Sequence, residues 1–401
     1  MFVAPLKPHQ NFETVRDKKS SLQFLPEQMI DISKQKSFEY KGKKLKSAYL
    51  IDIIHNLILR YYFRKENRFN LSATILKEKY GYLYNYYINY LKDNKLIIMV
   101  QDYKKGRNAR IYSLHESILY NTISRYQNED SVLIKKYIDK VSFYETDSNN
   151  LILPHIKQKL VSDLYSVQIQ FDRAIFYLDS VQKNDIDIYN RNRYSVESIN
   201  SKHIFYHFDS FGRLHTNFTI LKGFIRKNCL LIDGEETAEI DICNSQPLFL
   251  TKLIKDSGTH WVHKDEYELF KSLTLGGIYY QYLIDQLGLE DKSEAKQMTY
   301  KVFFGRNQKN SNADRQFESI FPTIHNFIKL YKKEFEDYKV LAYDLQKSES
   351  NLIFNQIINT LMMVHPEIKL ITVHDSLIVP RSQKEIVETI FNQKLAEEFK
   401  I

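Results

Sequence analysis

Two aspartates stand where carboxylates are costly. Asp375 lies in Ile371–Pro380 (ITVHDSLIVP), between the apolar residues Ile371, Val373, Leu377, Ile378 and Val379, with Pro380 closing the run. Apolar arms around a His-Asp-Ser turn predict a tight β-hairpin with buried strands and Asp375 at its tip. The second acid, Asp241, sits inside the strand-like run Ala238–Leu250 (AEIDICNSQPLFL). A carboxylate in apolar surroundings is unfavourable unless something positive neutralises it, typically a metal ion. An aspartate can also simply make a turn. Two of them on adjacent strands would instead form a divalent-metal site.

Both runs resemble motifs of the superfamily that joins family A DNA polymerases to single-subunit, phage-type RNA polymerases. Asp241 and the Val373–Ser376 string VHDS look like motifs A and C. Phe208–Thr219 (FDSFGRLHTNFT) resembles the Gly-Arg segment ahead of motif A, and Asp291–Gly305 (DKSEAKQMTYKVFFG) resembles the fingers helix, motif B. Four motifs in order are far more specific than any one alone. The likeness runs from Asp209 to Ile401, about half the chain, and is not seen in the amino-terminal half.

The resemblance implies a right-hand palm and fingers performing nucleotidyl transfer with two Mg²⁺ ions, or Mn²⁺ in their place, roughly 3.5–4 Å apart. Asp241 and Asp375 would be the catalytic carboxylates and metal ligands, aided by the Ile242 carbonyl. Arg213 would lie near the primer terminus, where a guanidinium forks onto phosphate or groove acceptors. Lys292, Lys296, Tyr300 and Phe304 recur every four residues and so form one stripe along a helix; in motif B that stripe faces the nucleotide. The first cation of the motif is usually Arg, and Lys292 keeps the charge without the fork. Gln346 resembles a residue contacting template and primer, although Lys347 replaces the usual Gly. His374 would orient the hairpin or the primer end. Gln246 stands five after Asp241, at the family's sugar-gate position, where it would crowd a ribose 2′-hydroxyl. With the aromatic Tyr300 and the hydroxyl-free Phe304, it points to deoxynucleotides.

The elements that must hold these residues come from the rest of the chain. The expected class is α+β: palm and fingers with a helical thumb or linker, preceded by a small winged helix-turn-helix domain. The expected domains are an arm (1–40), the winged helix (41–117), a helical linker (118–200) and the palm and fingers (201–401). The arm is expected to be loose because it is polar and carries Pro5, Pro8 and Pro26. Helical spacing from Ser47, a short helix ended by Gly81, and a third helix from Tyr82 precede two strand-like runs, KLIIMV and ARIYSL. That order resembles a winged helix, with Lys104, Lys105, Arg107 and Arg110 on a basic wing able to reach phosphates. The tyrosines around position 84 could equally pack the domain. Ile156–Leu178 has helical spacing throughout, and Leu275–Gly288 and Leu345–Met362 read as helices.

A length of 401 residues allows two or three domains, and 43% hydrophobic content argues against disorder. A net charge of +8 favours an anionic partner, first of all nucleic acid. The two cysteines, Cys229 and Cys243, have no zinc or disulfide spacing, which suits a reducing cytoplasm. No apolar run approaches a membrane span, and the amino terminus lacks a signal-peptide core. The expected partners are a DNA template, a primer and nucleoside triphosphates. Rival readings are an RNA polymerase or primase of the same superfamily, and a non-catalytic winged-helix initiator.

Overall fold

The computed structural model describes residues 21–103, 110–136, 151–182, 184–258, 262–307 and 311–399. These form a mixed α+β fold in two compact units. Among the described residues no helix is long and apolar enough to cross a membrane.

The first unit draws on Met1–Ser148, Val167–Phe205 and Thr216–Leu230. Its core surrounds the helix Ser47–Arg64, which buries Leu50, Ile51, Ile54, Leu57 and Ile58, one face of a helical repeat. Ser72 caps the next helix, Ala73–Tyr80, and Gly81 (φ +77) ends it, donating its N–H to the Lys77 carbonyl. Tyr84–Asp93 is the third helix. Strands Phe69–Asn70, Ile111–Leu114 and Ile97–Gln101 form a sheet in that order. The first of these strands was not expected. Tyr80 and Tyr87 pack inward: the Tyr80 hydroxyl donates to Asp52 and the Tyr87 hydroxyl accepts from the Lys46 N–H. Tyr82 is exposed, with the Lys77 ammonium 4.3 Å from its ring centroid.

Two expectations change here. Residues 21–40 are not a loose arm: Ser21–Pro26 pairs antiparallel with Ile123–Asn128 and buries Leu22, Phe24 and Leu25. The linker is not one continuous helical stretch either. Within Ile156–Leu178 the helix Pro154–Leu164 ends where Ser166 Oγ donates back to the Asp163 carbonyl, and a short strand, Val167–Ile169, precedes the helix Phe171–Gln182.

The second unit comprises Asn149–Ser166, Tyr206–His215 and Leu231–Ile401, so its borders differ from a cut at position 201. Tertiary contacts recruit the outlying helix: Ile156 and Leu160 enter the large core. Lys159 bonds the Ile368 carbonyl, and Asp163 accepts from the Leu370 N–H. Strands Ile371–Val373, Ser376–Pro380, Glu235–Asp241 and Leu230–Ile232 lie side by side in that order, each antiparallel to its neighbour. Helices pack around them, including Lys292–Phe304 and a long one that runs Val340–Ser350, continues through π-type turns at Asn351–Ile358 and ends at Val364. Leu275–Gly288 is interrupted: Gly276 and Gly277 (φ +71) break it before the helix Tyr279–Leu287.

Lys332 closes the Lys292–Phe304 helix from below. Its buried ammonium donates to the Val302 carbonyl at 2.6 Å and to the Gly305 carbonyl at 2.8 Å, acceptors that a helix C-terminus leaves open. Gly305 is required there, because a Cβ would lie 2.3 Å from the Lys301 carbonyl oxygen. Burial lowers the Lys332 pKa to about 8. Between that value and the ordinary 10.5 the unfolded chain binds the extra proton, so this group makes unfolding harder as pH rises through the window. The stability of wild type relative to Lys332→Met should therefore increase from pH 7 to 9.5, by at most about 1.4 kcal/mol per pH unit. Urea unfolding of both proteins across that range checks it; a pH-independent difference would contradict it.

Candidate active site

The hairpin forms as expected. Val373 pairs with Ser376, leaving His374 and Asp375 as a two-residue turn in which His374 takes φ +56. Asp241 is the last residue of its strand and lies opposite Ser376. The two aspartates are therefore neighbours at one end of adjacent strands. The run Ala238–Leu250 is not all strand, however. After Asp241 the chain turns through Ile242, Cys243 and Asn244 (φ +54) into the helix Ser245–Asp256. Asn tolerates the left-handed turn, and Pro247 falls in the first helical turn, where no N–H is needed. Gly277 packs against this turn, its Cβ position 3.5 Å from the Cys243 side chain.

A third carboxylate, Glu349, enters from the long helix and is 2% exposed. Its Oε1 accepts from Arg213 Nε at 3.1 Å and Nη2 at 2.5 Å. Its Oε2 accepts from Ser245 Oγ and Gln246 Nε2, each at 2.6 Å. Burial first, then the charges of Glu349 and Asp241, push the Asp375 pKa up to about 7, while Arg213 acts in the opposite direction.

Arg213 is aimed by its own loop. Asp209 Oδ1 accepts from the Phe211 and Arg213 N–H groups, both at 2.9 Å, and Oδ2 pairs with His215 Nε2 at 2.8 Å. Gly212 (φ +85) lets the loop approach the long helix, since a Cβ there would meet the Ser350 side chain at 3.3 Å. Phe211 stacks on Tyr343 of the same helix, ring centroids 4.5 Å apart. His215 and His374 rings lie 6.4 Å apart, so the loop also meets the hairpin turn.

The lysine stripe reaches the acids through two tyrosines. Asp291 caps the helix Lys292–Phe304 by accepting the Glu294 N–H. Lys292 and Lys296 place their ammonium groups 6.0 and 5.7 Å from the Tyr280 ring centroid. Burial first raises the pKa of both Tyr280 and Tyr300, and the nearby charge of Asp375 adds to the shift in each. Tyr300 contacts Phe304, which is half-buried against the core.

Of the residues singled out in the sequence, Asp241, Asp375, Arg213, Gln246, His374, Lys292, Lys296 and Tyr300 thus belong to one constellation. Ile242 is buried beside Asp241. Gln346 is half-buried one turn before Glu349. Gln246 is only 6% exposed, and its amide NH₂ donates to Glu349. Lys104, Lys105 and Arg107 lie outside the described residues; Arg110, in the first unit, pairs with Asp102 at 3.1 Å. Sequence reasoning missed Glu349 and Tyr280. The signal for Glu349 was an acid four residues after Leu345 and eight after Leu341, in line with the buried apolar face of its helix.

Among the described residues no group of three or more His, Cys, Asp or Glu side chains is arranged to hold a metal. Asp241 and Asp375 nevertheless fit Mg²⁺: both are hard oxygen donors, close enough to repel, and Mg²⁺ completes its shell with water and substrate phosphates. With the Asp375 pKa raised to about 7, a cation bound there would have to displace a proton below that pH. Mg²⁺ affinity should therefore rise about tenfold per pH unit below 7 and level off above 8. Without metal the sign reverses: a raised carboxylate pKa contributes stability at low pH that is lost as pH approaches 7. Titrating the Mg²⁺-induced rise in melting temperature at pH 6, 7 and 8 tests both statements. No family model matches this chain, and no curated protein matches its sequence.

Proposed function

We propose that the chain is a template-directed nucleic-acid polymerase, most simply a DNA polymerase serving a mobile element, plasmid or phage. The observation that carries this reading is the meeting of Asp241 and Asp375 at one end of adjacent strands, with Arg213 and the Lys292–Tyr300 stripe around them. In this reading the second unit acts as palm and fingers. Asp241 and Asp375 would hold two Mg²⁺ ions, whose charge would activate the primer 3′-hydroxyl and stabilise the departing pyrophosphate. Lys292 and Lys296 hold the triphosphate as point charges, and Tyr300 offers its exposed ring to the base or sugar. His374 and Arg213 orient the primer end. The new bond joins the 3′-oxygen to the α-phosphorus as the bond to pyrophosphate breaks, and the hydroxyl proton leaves to solvent.

The first unit acts in this reading as a winged-helix module that contacts duplex DNA. Its helix, strand, helix, helix, strand, strand order and Arg110 at the edge of the wing support that role.

Extension of a labelled primer on a DNA template, with Mg²⁺ and either dNTPs or NTPs, is the deciding experiment. Incorporation with dNTPs preferred is the expected result. Preference for NTPs would move the protein to the RNA polymerase or primase branch, and no incorporation of either would favour a DNA-binding initiator.

A further inference from the structure

Glu349 belongs to no motif read from the sequence, yet it joins three separate segments of the site. Its carboxylate is buried, and both oxygens are engaged, one by Arg213 and the other by Ser245 and Gln246. With its acceptor positions filled in this way, it is not poised as a further metal ligand. What it can do is impose orientation. A carboxylate only accepts hydrogen bonds, so the Gln246 amide must turn its NH₂ toward Glu349 and its carbonyl oxygen away. That carbonyl oxygen is buried without a donor among the described residues, so of these Glu349 decides which way the amide faces. Arg213 is held by Nε and Nη2, which leaves its outer Nη1 edge for a ligand.

We infer that Glu349 is a positioning residue for nucleotide selection, fixing the Gln246 amide and the Arg213 edge beside Asp241 and Asp375. The inference rests on the polymerase reading for its substrate class, a nucleoside triphosphate distinguished by its sugar. Substitution by Gln tests it closely, because an amide at 349 must set its own NH₂ against Arg213 or against the Gln246 NH₂.

The experiment compares kcat/KM for dNTP and NTP in wild type, Glu349→Gln, Gln246→Ala and the double variant. Glu349→Gln should change the dNTP-to-NTP preference about tenfold or more, in the same direction as Gln246→Ala. The double variant should go no further than either single one, because both disturb one unit. A purely structural Glu349 would lower both activities equally, so an unchanged preference, or additive effects, would overturn the inference. Should Glu349→Gln melt below the assay temperature, Glu349→Asp retains the charge with a shorter reach; it should show the same direction of change, and an unaltered preference would count against the role.

Failure of the polymerase reading looks different. Wild type would then incorporate neither nucleotide, and the role of Glu349 would be decided by the thermal shifts that Ca²⁺ with dATP or with ATP produces. A difference between the two nucleotides that disappears in Glu349→Gln would support the role. Equal shifts in both proteins, or none, would reject it.

Discussion

Asp375→Asn and Asp241→Asn should each reduce nucleotide incorporation by about a thousandfold or more while leaving the fold intact. Asn matches Asp in shape, so the hairpin turn and the strand end keep their geometry. What disappears is the negative charge that would hold the ions. Stability separates this outcome from simple misfolding. Asp375 ionises only against burial and the charges of Glu349 and Asp241, so replacing it by a neutral amide removes a cost borne above pH 7. Metal-free Asp375→Asn should therefore melt at or above the wild-type temperature at pH 8, and its Mg²⁺-induced rise should be lost. Near wild-type incorporation by either variant would remove these residues from the chemistry. Inactivity accompanied by a lower melting temperature would mean only that the sheet end had been damaged.

Lys296→Ala should raise KM for the nucleotide about 10- to 100-fold, the value of a charge-assisted hydrogen bond worth roughly 1.5–3 kcal/mol. The side chain is exposed on a helix where Ala is the better helix former, so stability should hold or improve. Lys292→Ala should have the smaller effect, because that residue opens the helix, farther along the stripe from Tyr300 and the acids. Recovery of KM in Lys296→Arg would show that a positive charge at this point is what matters. An unchanged KM in Lys296→Ala would mean that the lysines are a solvated helix face and that the triphosphate is held elsewhere.

Much of the constellation was legible in the chain because its signals are local. The Ile371–Pro380 hairpin is written in consecutive residues, apolar arms about a two-residue turn, and such a pattern pairs with itself. The Lys292–Phe304 helix carries its own start in Asp291 and its end in Gly305. A stripe at every fourth position needs only the helical period to lie on one face. The first unit's helices Ser47–Arg64, Ala73–Tyr80 and Tyr84–Asp93 likewise follow from periodicity, with Ser72 and Gly81 marking the limits of the second.

What local pattern cannot carry was settled by tertiary structure. Ala238–Leu250 is apolar enough for a strand throughout, and short apolar runs suit strand and buried helix equally. Pairing with Ser376–Pro380 ends at Asp241, and the buried face beyond it is helical. Residues 21–26 looked loose until Ile123–Asn128 supplied a partner strand, since half of a sheet ladder has no stability alone. The Pro154–Leu164 helix joins the second unit because Ile156, Leu160 and Asp163 find their partners far along the chain. Glu349 is the clearest case. Nothing near it in sequence answers a buried carboxylate, and its donors, Arg213, Ser245 and Gln246, come from segments more than a hundred residues away. Side-chain types and short-range periods thus determined which residues were able to act and which local elements carry them. Which of them meet was decided by long-range pairing and burial, because a hydrogen bond between distant segments leaves no period in the chain that makes it.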